Sequence, residues 1–160
     1  MVLIMSKKIS VAILGSTGYV GLELVKILSK HPNVNIVFLG TEKTPNISIQ
    51  KFDSSIDISN IPNTQLNRDF DYNIAETVFL ALPHSVSNEY VKLYYNKIQI
   101  IDLSADFRLD DAKLWENYYG TKHHTPEIIS SVTYGLTEIN RESIKNTKIV
   151  EKIINMLNAI

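Results

Sequence analysis

Glycines at positions 15, 18 and 21 form the stretch of the sequence whose residue types and spacing most directly suggest chemistry. The stretch reads "GSTGYVG"; it follows the apolar run "ISVAIL" (9–14) and opens the helix-like run "YVGLELVKILSKH" (19–31). Gly15 would allow a tight turn out of a strand, Gly18 would let the backbone approach a phosphate, and Gly21 would let the helix pack closely on a sheet. The stretch therefore predicts a dinucleotide loop. A tight β–α turn that binds nothing is the alternative.

The residues beside these glycines supply hydrogen-bond donors. Ser16 and Thr17 carry hydroxyl groups, and Tyr19 and Val20 stand at the start of the predicted helix. A helix N-terminus attracts anions because its first N–H groups have no intrahelical acceptor and its dipole is positive there. We therefore include these residues, with the glycines, among the predicted cofactor-binding positions.

The polar residues after the second apolar run, "VNIVFLG" (34–40), bear on which dinucleotide would bind. An acidic residue about 20 positions after the glycines binds a ribose 2′-hydroxyl, whereas a basic residue favours a 2′-phosphate. Thr41, Glu42 and Lys43 follow the run. Glu42 argues for NAD and Lys43 for NADP, with a solvated polar turn as the third interpretation. Thr41 and Lys43 are included as predicted cofactor-binding residues.

Polar residues also follow two later apolar runs, "TVFLAL" (77–82) and "KIQIIDLS" (97–104). Ligands of open α/β sheets bind beyond the carboxyl ends of the strands. Pro83 and His84 follow the first run, and Ser104 ends the second. These positions would face a bound cofactor, so all three are predicted cofactor-binding residues.

Other polar residues in the same region are expected to have structural or surface roles. Asp102 and Asp106 could form an acid–base pair, but four positions across a strand end is poor geometry for one. We expect Asp106 and Arg108 to shape the turn instead. His123 and His124 follow no strand end and are predicted to lie on a surface loop. The residues therefore predict no catalytic group and no metal site.

The hydrophobic pattern alternates strands with helices along the chain. Continuous apolar runs indicate strands buried on both faces, and runs of helical period indicate amphipathic helices. We predict strands over 9–15, 34–40, 77–82, 97–104 and 147–150, and helices over 18–31, 85–95, 110–119, 137–145 and 151–160, with Thr137 as an N-cap. Residues 41–74 are read as a loop-rich excursion with one short helix or strand, and 123–136 as irregular. This order predicts a Rossmann-like, doubly wound α/β domain with a mostly parallel sheet.

Composition limits the classes of function. The chain has 160 residues, of which 44% are hydrophobic and 21% charged, as is usual for a single soluble domain. A net charge of −1 indicates neither nucleic acid nor an anionic membrane as partner, and the apolar runs are too short to span a bilayer. The absence of cysteine excludes disulfides, zinc–thiolate sites and a thiol nucleophile in these residues. Cytoplasmic localisation is the expectation. Met5 is an alternative start to Met1, and residues 1–8 are predicted to be a short extension.

Several segments together resemble one enzyme family. "GSTGYVG" (15–21), "ALPHSVS" (81–87), "IIDLSADFRL" (100–109) and "YGLTEINRESIK" (134–145) are similar to segments of N-acetyl-γ-glutamyl-phosphate reductases, relatives of the aspartate-semialdehyde dehydrogenases. The resemblance covers residues 9–150 in order. It implies a dinucleotide-binding domain, usually serving NADPH, in a homo-oligomeric enzyme of arginine biosynthesis that reduces an acyl phosphate to a semialdehyde.

The resemblance also implies what this chain does not contain. In the family a cysteine in an "NPGCYPT"-like stretch attacks the acyl phosphate, and a second domain supplies substrate contacts and a histidine acid–base group. This sequence instead continues "EKIINMLNAI" after Val150. We therefore expect a truncated chain with an unrelated terminal helix, inactive unless a separately encoded catalytic domain supplies the rest. A non-catalytic NAD(P)-binding module and a remnant without function are the alternatives. "LPHS" stands where the family has "LPHG", a mild change.

Overall fold

The computed structural model describes residues 7–109 and 111–151. The predicted helix over 151–160, apart from its first residue, and most of the predicted extension over 1–8 lie outside the described residues. The strands are β1 Ile9–Leu14, β2 Val34–Thr41, β3 Thr64–Leu66, β4 Thr77–Leu80, β5 Gln99–Asp102, β6 Val132–Tyr134 and β7 Ile149–Glu151. The helices are α1 Tyr19–Leu28, α2 Val86–Tyr94, α3 Ala112–Tyr119 and α4 Thr137–Asn146, and short 3-10 turns cover Ile49–Lys51, Asn67–Asp69, Tyr72–Ile74 and Ile129–Ser131.

Parallel strands alternate with helices, which confirms the predicted Rossmann-like α/β class. The chain divides into two compact units between Phe79 and Leu80. Within the described residues of these units no helix is both long enough and apolar enough to cross a membrane.

The first unit contains strands in the order β3-β2-β1-β4. β1 and β2 pair in parallel, from Ile9 opposite Val34 to Ile13 opposite Leu39, with a register shift after Val11. Helix α1 connects them, so this is the β-α-β unit that the sequence predicts. A buried aliphatic cluster of this unit consists of Val11, Ile13, Val25, Ile36, Leu39, Ile49 and Ile56. The uninterrupted apolar runs of β1 and β2 are therefore explained by burial.

The second unit contains β5, β7 and β6, in that order. Ile149 of β7 pairs in parallel with Ile100 of β5 on one side and with Val132 of β6 on the other. Ile100 and Ile149 are fully buried, and Trp115 of α3 is 1% exposed. β7 is thus the central strand of this group, and its predicted strand character is confirmed.

Two predictions about the second unit are wrong. β6 lies inside residues 123–136, which were expected to be irregular. Its residues are only half-buried and the strand is short, so no alternating or continuous apolar pattern marks it. Thr137 is the first residue of α4 and not its N-cap; Leu136 holds that position and makes no side-chain cap bond. Because Thr137 itself is helical, its hydroxyl cannot cap the first turn as the sequence suggested.

Close packing at the start of α1 depends on Gly21. A Cβ at Gly21 would overlap the carbonyl oxygen of Gly15 and lie 2.7 Å from Cα of Ser16. These are backbone atoms of a tight turn and cannot move aside cheaply. Gly21 therefore allows close packing of α1, as predicted, although the close approach is to the turn that follows β1 and not to a strand.

We expect Gly21→Ser to lower the free energy of unfolding by about 2 kcal/mol, because overpacking against fixed backbone typically costs that much. Gly18→Ser is the matched control: a Cβ at Gly18 meets only the Gly15 oxygen, at 3.4 Å, and serine is a good N-cap residue. Urea unfolding followed by far-UV circular dichroism measures both variants. Equal losses in the two variants would contradict this account.

Candidate functional site

The loop between β1 and α1 makes a tight turn that leaves its outer face open. Gly15 has φ 80°, which favours glycine, and the N–H of Gly18 donates to the Gly15 oxygen at 3.1 Å. Gly18, Tyr19 and Val20 are exposed. The first N–H groups of α1, at Tyr19 and Val20, have no intrahelical acceptor because of helix geometry. The loop therefore presents backbone donors to solvent, an arrangement suited to an anionic group.

The hydroxyl groups of Ser16 and Thr17 are already engaged within the protein. Ser16 is fully buried, and both its N–H (2.8 Å) and its hydroxyl (2.9 Å) donate to the Gly40 oxygen. The Thr17 hydroxyl lies 3.1 Å from that of Thr41, which in turn lies 3.0 Å from that of Thr44. These side chains fix the loop against the end of β2, which differs from the free donors that the sequence suggested.

Two residues that sequence reasoning missed also hold this loop. The side-chain oxygen of Asn67 accepts from the N–H of Gly15 at 3.1 Å, and Asn67 is 3% exposed. A Cβ at Gly40 would overlap this same oxygen and lie 3.1 Å from Cα of Leu14. A glycine ending an apolar strand was a visible signal for Gly40. Asn67 lies in the segment 41–74, whose sequence carries no pattern that singles it out.

The predicted cofactor residues after β2 have different environments. Thr41 is 2% exposed and contributes through the hydroxyl chain described above. Glu42 and Lys43 are exposed and adjacent. A positive and a negative side chain are thus both available at this turn, as the sequence predicts.

In the second unit Pro83 and His84 are exposed after β4, and the His84 ring lies 5.7 Å from that of Tyr119. The next residue, Ser85, has φ 68° and ψ −40°. This left-handed backbone favours glycine, so the change from "LPHG" to "LPHS" places a side chain where the backbone is strained.

A buried carboxylate, Asp106, holds this strained turn. Its oxygens accept from the N–H of Ser85 at 2.8 Å and from the N–H of Asn88 at 3.0 Å, so it caps the N-terminus of α2. Burial raises the pKa of Asp106, and these backbone bonds oppose that rise. The Arg108 guanidinium donates to the backbone oxygen of Ser104 at 3.0 Å. The prediction that Asp106 and Arg108 shape the turn is confirmed.

Ser104 is also part of this turn. Its hydroxyl donates to Asp102 at 2.8 Å and accepts from the N–H of Asp106 at 3.1 Å, and the residue is 6% exposed. Asp102 accepts further bonds from the N–H of Ser104 and the hydroxyl of Ser87. The Ser104 side chain is therefore committed to the turn, and contact with a cofactor stays a prediction.

His123 is buried, at 5% exposure, so the prediction of a surface position is wrong for it. The ring packs edge-on against Phe107 and Trp115, and Nε2 lies 2.8 Å from the backbone oxygen of Asp106. Since Nδ1 accepts from the N–H of Thr125 at 3.3 Å, Nε2 carries the proton and donates it to Asp106. Aromatic neighbours on α3 and in the turn after β5 bury this ring. His124 is exposed, as expected.

Among residues 7–109 and 111–151 no cluster of histidine, cysteine, aspartate or glutamate could hold a metal ion. The features that define the class of protein are therefore the glycine turn, the open helix N-terminus and the parallel α/β framework. Together they are those of a Rossmann-like dinucleotide-binding domain.

Comparison with known proteins gives the family. A family profile described as semialdehyde dehydrogenase, NAD binding domain, matches residues 10–147, and the chain belongs to this family. N-acetyl-γ-glutamyl-phosphate reductase of Ehrlichia canis is 41% identical over 148 residues, which cover 91% of this chain and 42% of the relative. That of Caldicellulosiruptor bescii is 41% identical over 145 residues, covering 89% of this chain and 41% of the relative. The chain thus spans about two fifths of the length of these relatives.

Solved structures show the same fold at low identity. Aspartate semialdehyde dehydrogenase II of Vibrio cholerae, complexed with ASA, matches with a TM-score of 0.65 at 17% identity, over 92% of this chain and 42% of the other. Aspartate semialdehyde dehydrogenase of Candida albicans, solved with NADP, matches with a TM-score of 0.61 at 16% identity, over 93% and 43%.

We expect Ser85→Gly to stabilise the protein by about 1 kcal/mol. Relief of the left-handed strain, at about 1–3 kcal/mol, exceeds the entropy that a glycine adds to the unfolded chain. The control is Ser48→Gly, because Ser48 has an ordinary φ of −63° and gains no relief. Urea unfolding of both variants measures the difference, and a loss of stability in both would contradict the strain.

Proposed function

We propose that this chain is the cofactor-binding domain of an N-acetyl-γ-glutamyl-phosphate reductase. The observation that carries the proposal is the exposed N-terminus of α1 behind Gly18. There a side chain would point into open space except for one ordinary contact, of 3.4 Å, to Gly15. The fold of the protein does not itself need a glycine at this position, whereas close approach of a pyrophosphate does. Membership of a family named for NAD binding supports this reading.

The residues of the loop have distinct proposed roles. The N–H groups of Tyr19 and Val20 bind the pyrophosphate, and Gly18 gives it room. Ser16 and Thr17 act indirectly, since their hydroxyls hold the loop in place. Pro83, His84 and Ser104 stay predicted cofactor residues.

We propose NADP as the preferred dinucleotide, with NAD as the alternative. Lys43 is exposed just after β2 and can pair with a 2′-phosphate, while Glu42 beside it disfavours that charge. The NADP of the Candida albicans structure, in a protein of the same fold, agrees with this choice. The bound dinucleotide would supply the hydride in the family's reaction.

Calorimetric titration of the chain with NADPH and NADH tests the binding. We expect both to bind, NADPH more tightly, and Gly18→Trp to weaken both by at least tenfold, about 1.4 kcal/mol, because the indole fills the space of the pyrophosphate. Tyr118→Trp adds an indole at an exposed position on α3 and is expected to leave both affinities unchanged. Unchanged affinity in Gly18→Trp would place the nucleotide elsewhere, and no binding by the wild-type chain would favour a remnant without function.

We further propose that these 160 residues alone do not reduce an acyl phosphate, because the family's acyl acceptor is a thiol and the sequence has no cysteine. NADPH oxidation in the presence of N-acetyl-glutamyl phosphate is expected to be absent with this chain. It is expected to appear when a separately produced cysteine-bearing catalytic domain is added. A full-length relative is the positive control. Turnover by the chain alone would overturn this proposal without affecting the binding proposal.

A further inference from the structure

The carboxyl group of Glu151, at the end of β7, is buried without a hydrogen-bond donor. The residue is 0% exposed, and neither side-chain oxygen has a hydrogen-bond partner in the described part of the chain. An ionised carboxylate in such a place would lose its hydration and gain no hydrogen bond in return. The buried carboxyl group therefore needs either a hydrogen-bond donor or a proton of its own.

The strand register brings Glu151 beside another buried acid. Glu151 pairs with Asp102 of β5 on one side and with Tyr134 of β6 on the other. Asp102 is also 0% exposed, but it is well supplied with donors: the hydroxyl of Ser87 at 2.6 Å, and the N–H and hydroxyl of Ser104 at 3.0 and 2.8 Å. Asp102 is therefore arranged as an acceptor, and the Glu151 carboxyl lies within hydrogen-bond reach of it.

The charged groups around Glu151 are mainly acidic. Nε of Arg108 lies 3.6 Å from Oε1 of Glu151, too far for a hydrogen bond, and no acceptor for this Nε lies in the described part of the chain. Asp106, which is fully buried, also acts on Glu151 as a like charge. A single guanidinium among the described neighbours cannot compensate three ionised carboxylates.

We propose that folding of the second unit takes up a proton, held between the carboxyl groups of Glu151 and Asp102, so that the stability of this unit falls as the pH rises through neutrality. In this arrangement the Glu151 hydroxyl donates to Asp102, which gives the buried Glu151 side chain a hydrogen bond. The pairing of β7 with β5 thereby becomes sensitive to pH. The inference is independent of the proposed function, and dinucleotide binding has no part in its test.

The electrostatics agree with this geometry. Burial, with Asp102 next, raises the pKa of Glu151 to about 10 from 4.5, and Arg108 only partly opposes the rise. Burial also raises the pKa of Asp102, against its bonds from Ser87 and Ser104. The pKa of Glu151 is higher in the folded than in the unfolded state. The contribution of its proton to the free energy of unfolding is therefore fully present below about pH 4.5 and is lost progressively as the pH rises toward 10.

Urea unfolding of the full chain between about pH 6 and pH 8, followed by tryptophan fluorescence, tests the proposal. Trp115 is the sole tryptophan and lies buried in this unit. The wild-type folding constant is expected to fall by up to about tenfold per pH unit, which is about 1.4 kcal/mol. Glu151→Gln, a neutral isostere that can still donate to Asp102, is expected to remove that slope. Glu127→Gln makes the same change at an exposed position and should keep it.

Infrared spectroscopy of the wild-type chain gives a second measurement that needs no variant to fold. At neutral pH the spectrum should contain the carbonyl band of a protonated carboxyl group, which disappears on unfolding. Parallel pH slopes in the wild type and Glu151→Gln, or the absence of this band from the folded wild-type protein, would overturn the proposal.

Discussion

The structure depends on satisfying the backbone N–H groups that become buried where a strand turns toward the next element. In the first unit the N–H of Gly15 is taken by the side chain of Asn67. In the second unit Asp106 takes the N–H groups of Ser85 and Asn88, and Asp102 takes that of Ser104. Polar side chains buried for this purpose fix the loops that an α/β fold of this kind uses for ligands.

This constraint also sets how the buried acids behave. Asp102 and Asp106 each accept more than one hydrogen bond, which partly offsets the loss of hydration of an ionised group. Glu151 is equally buried but has no hydrogen-bond donor among the described residues, so its carboxyl group can make a hydrogen bond only in the protonated form, as a donor itself. The same physical requirement therefore gives two outcomes within one unit: structural carboxylates that brace turns, and a carboxyl group whose proton becomes part of the folded state.

The same requirement determines which groups of the glycine loop are bonded within the protein and which remain available to a ligand. The hydroxyl groups of Ser16, Thr17 and Thr41 are bonded within the protein. The exposed residues Tyr19 and Val20 have backbone N–H groups without an intrahelical acceptor. A site built from backbone donors on a braced turn needs little reorganisation when an anion arrives, which favours binding. The family match places this loop in a known group of dinucleotide-binding domains.

The sequence by itself determined the α/β class, the β1–α1 turn and the roles of Gly15 and Gly21, because these depend on local sterics and on hydrophobic period. Tertiary structure alone decided the burial of His123 and the bracing by Asn67, whose bond to Gly15 spans 52 positions. It also decided the short strand β6, which exists through its pairing with β7 and not through its own pattern. The proposed protonation of Glu151 also depends on tertiary structure, because the pKa of a carboxyl group rises only when neighbouring strands exclude water from it.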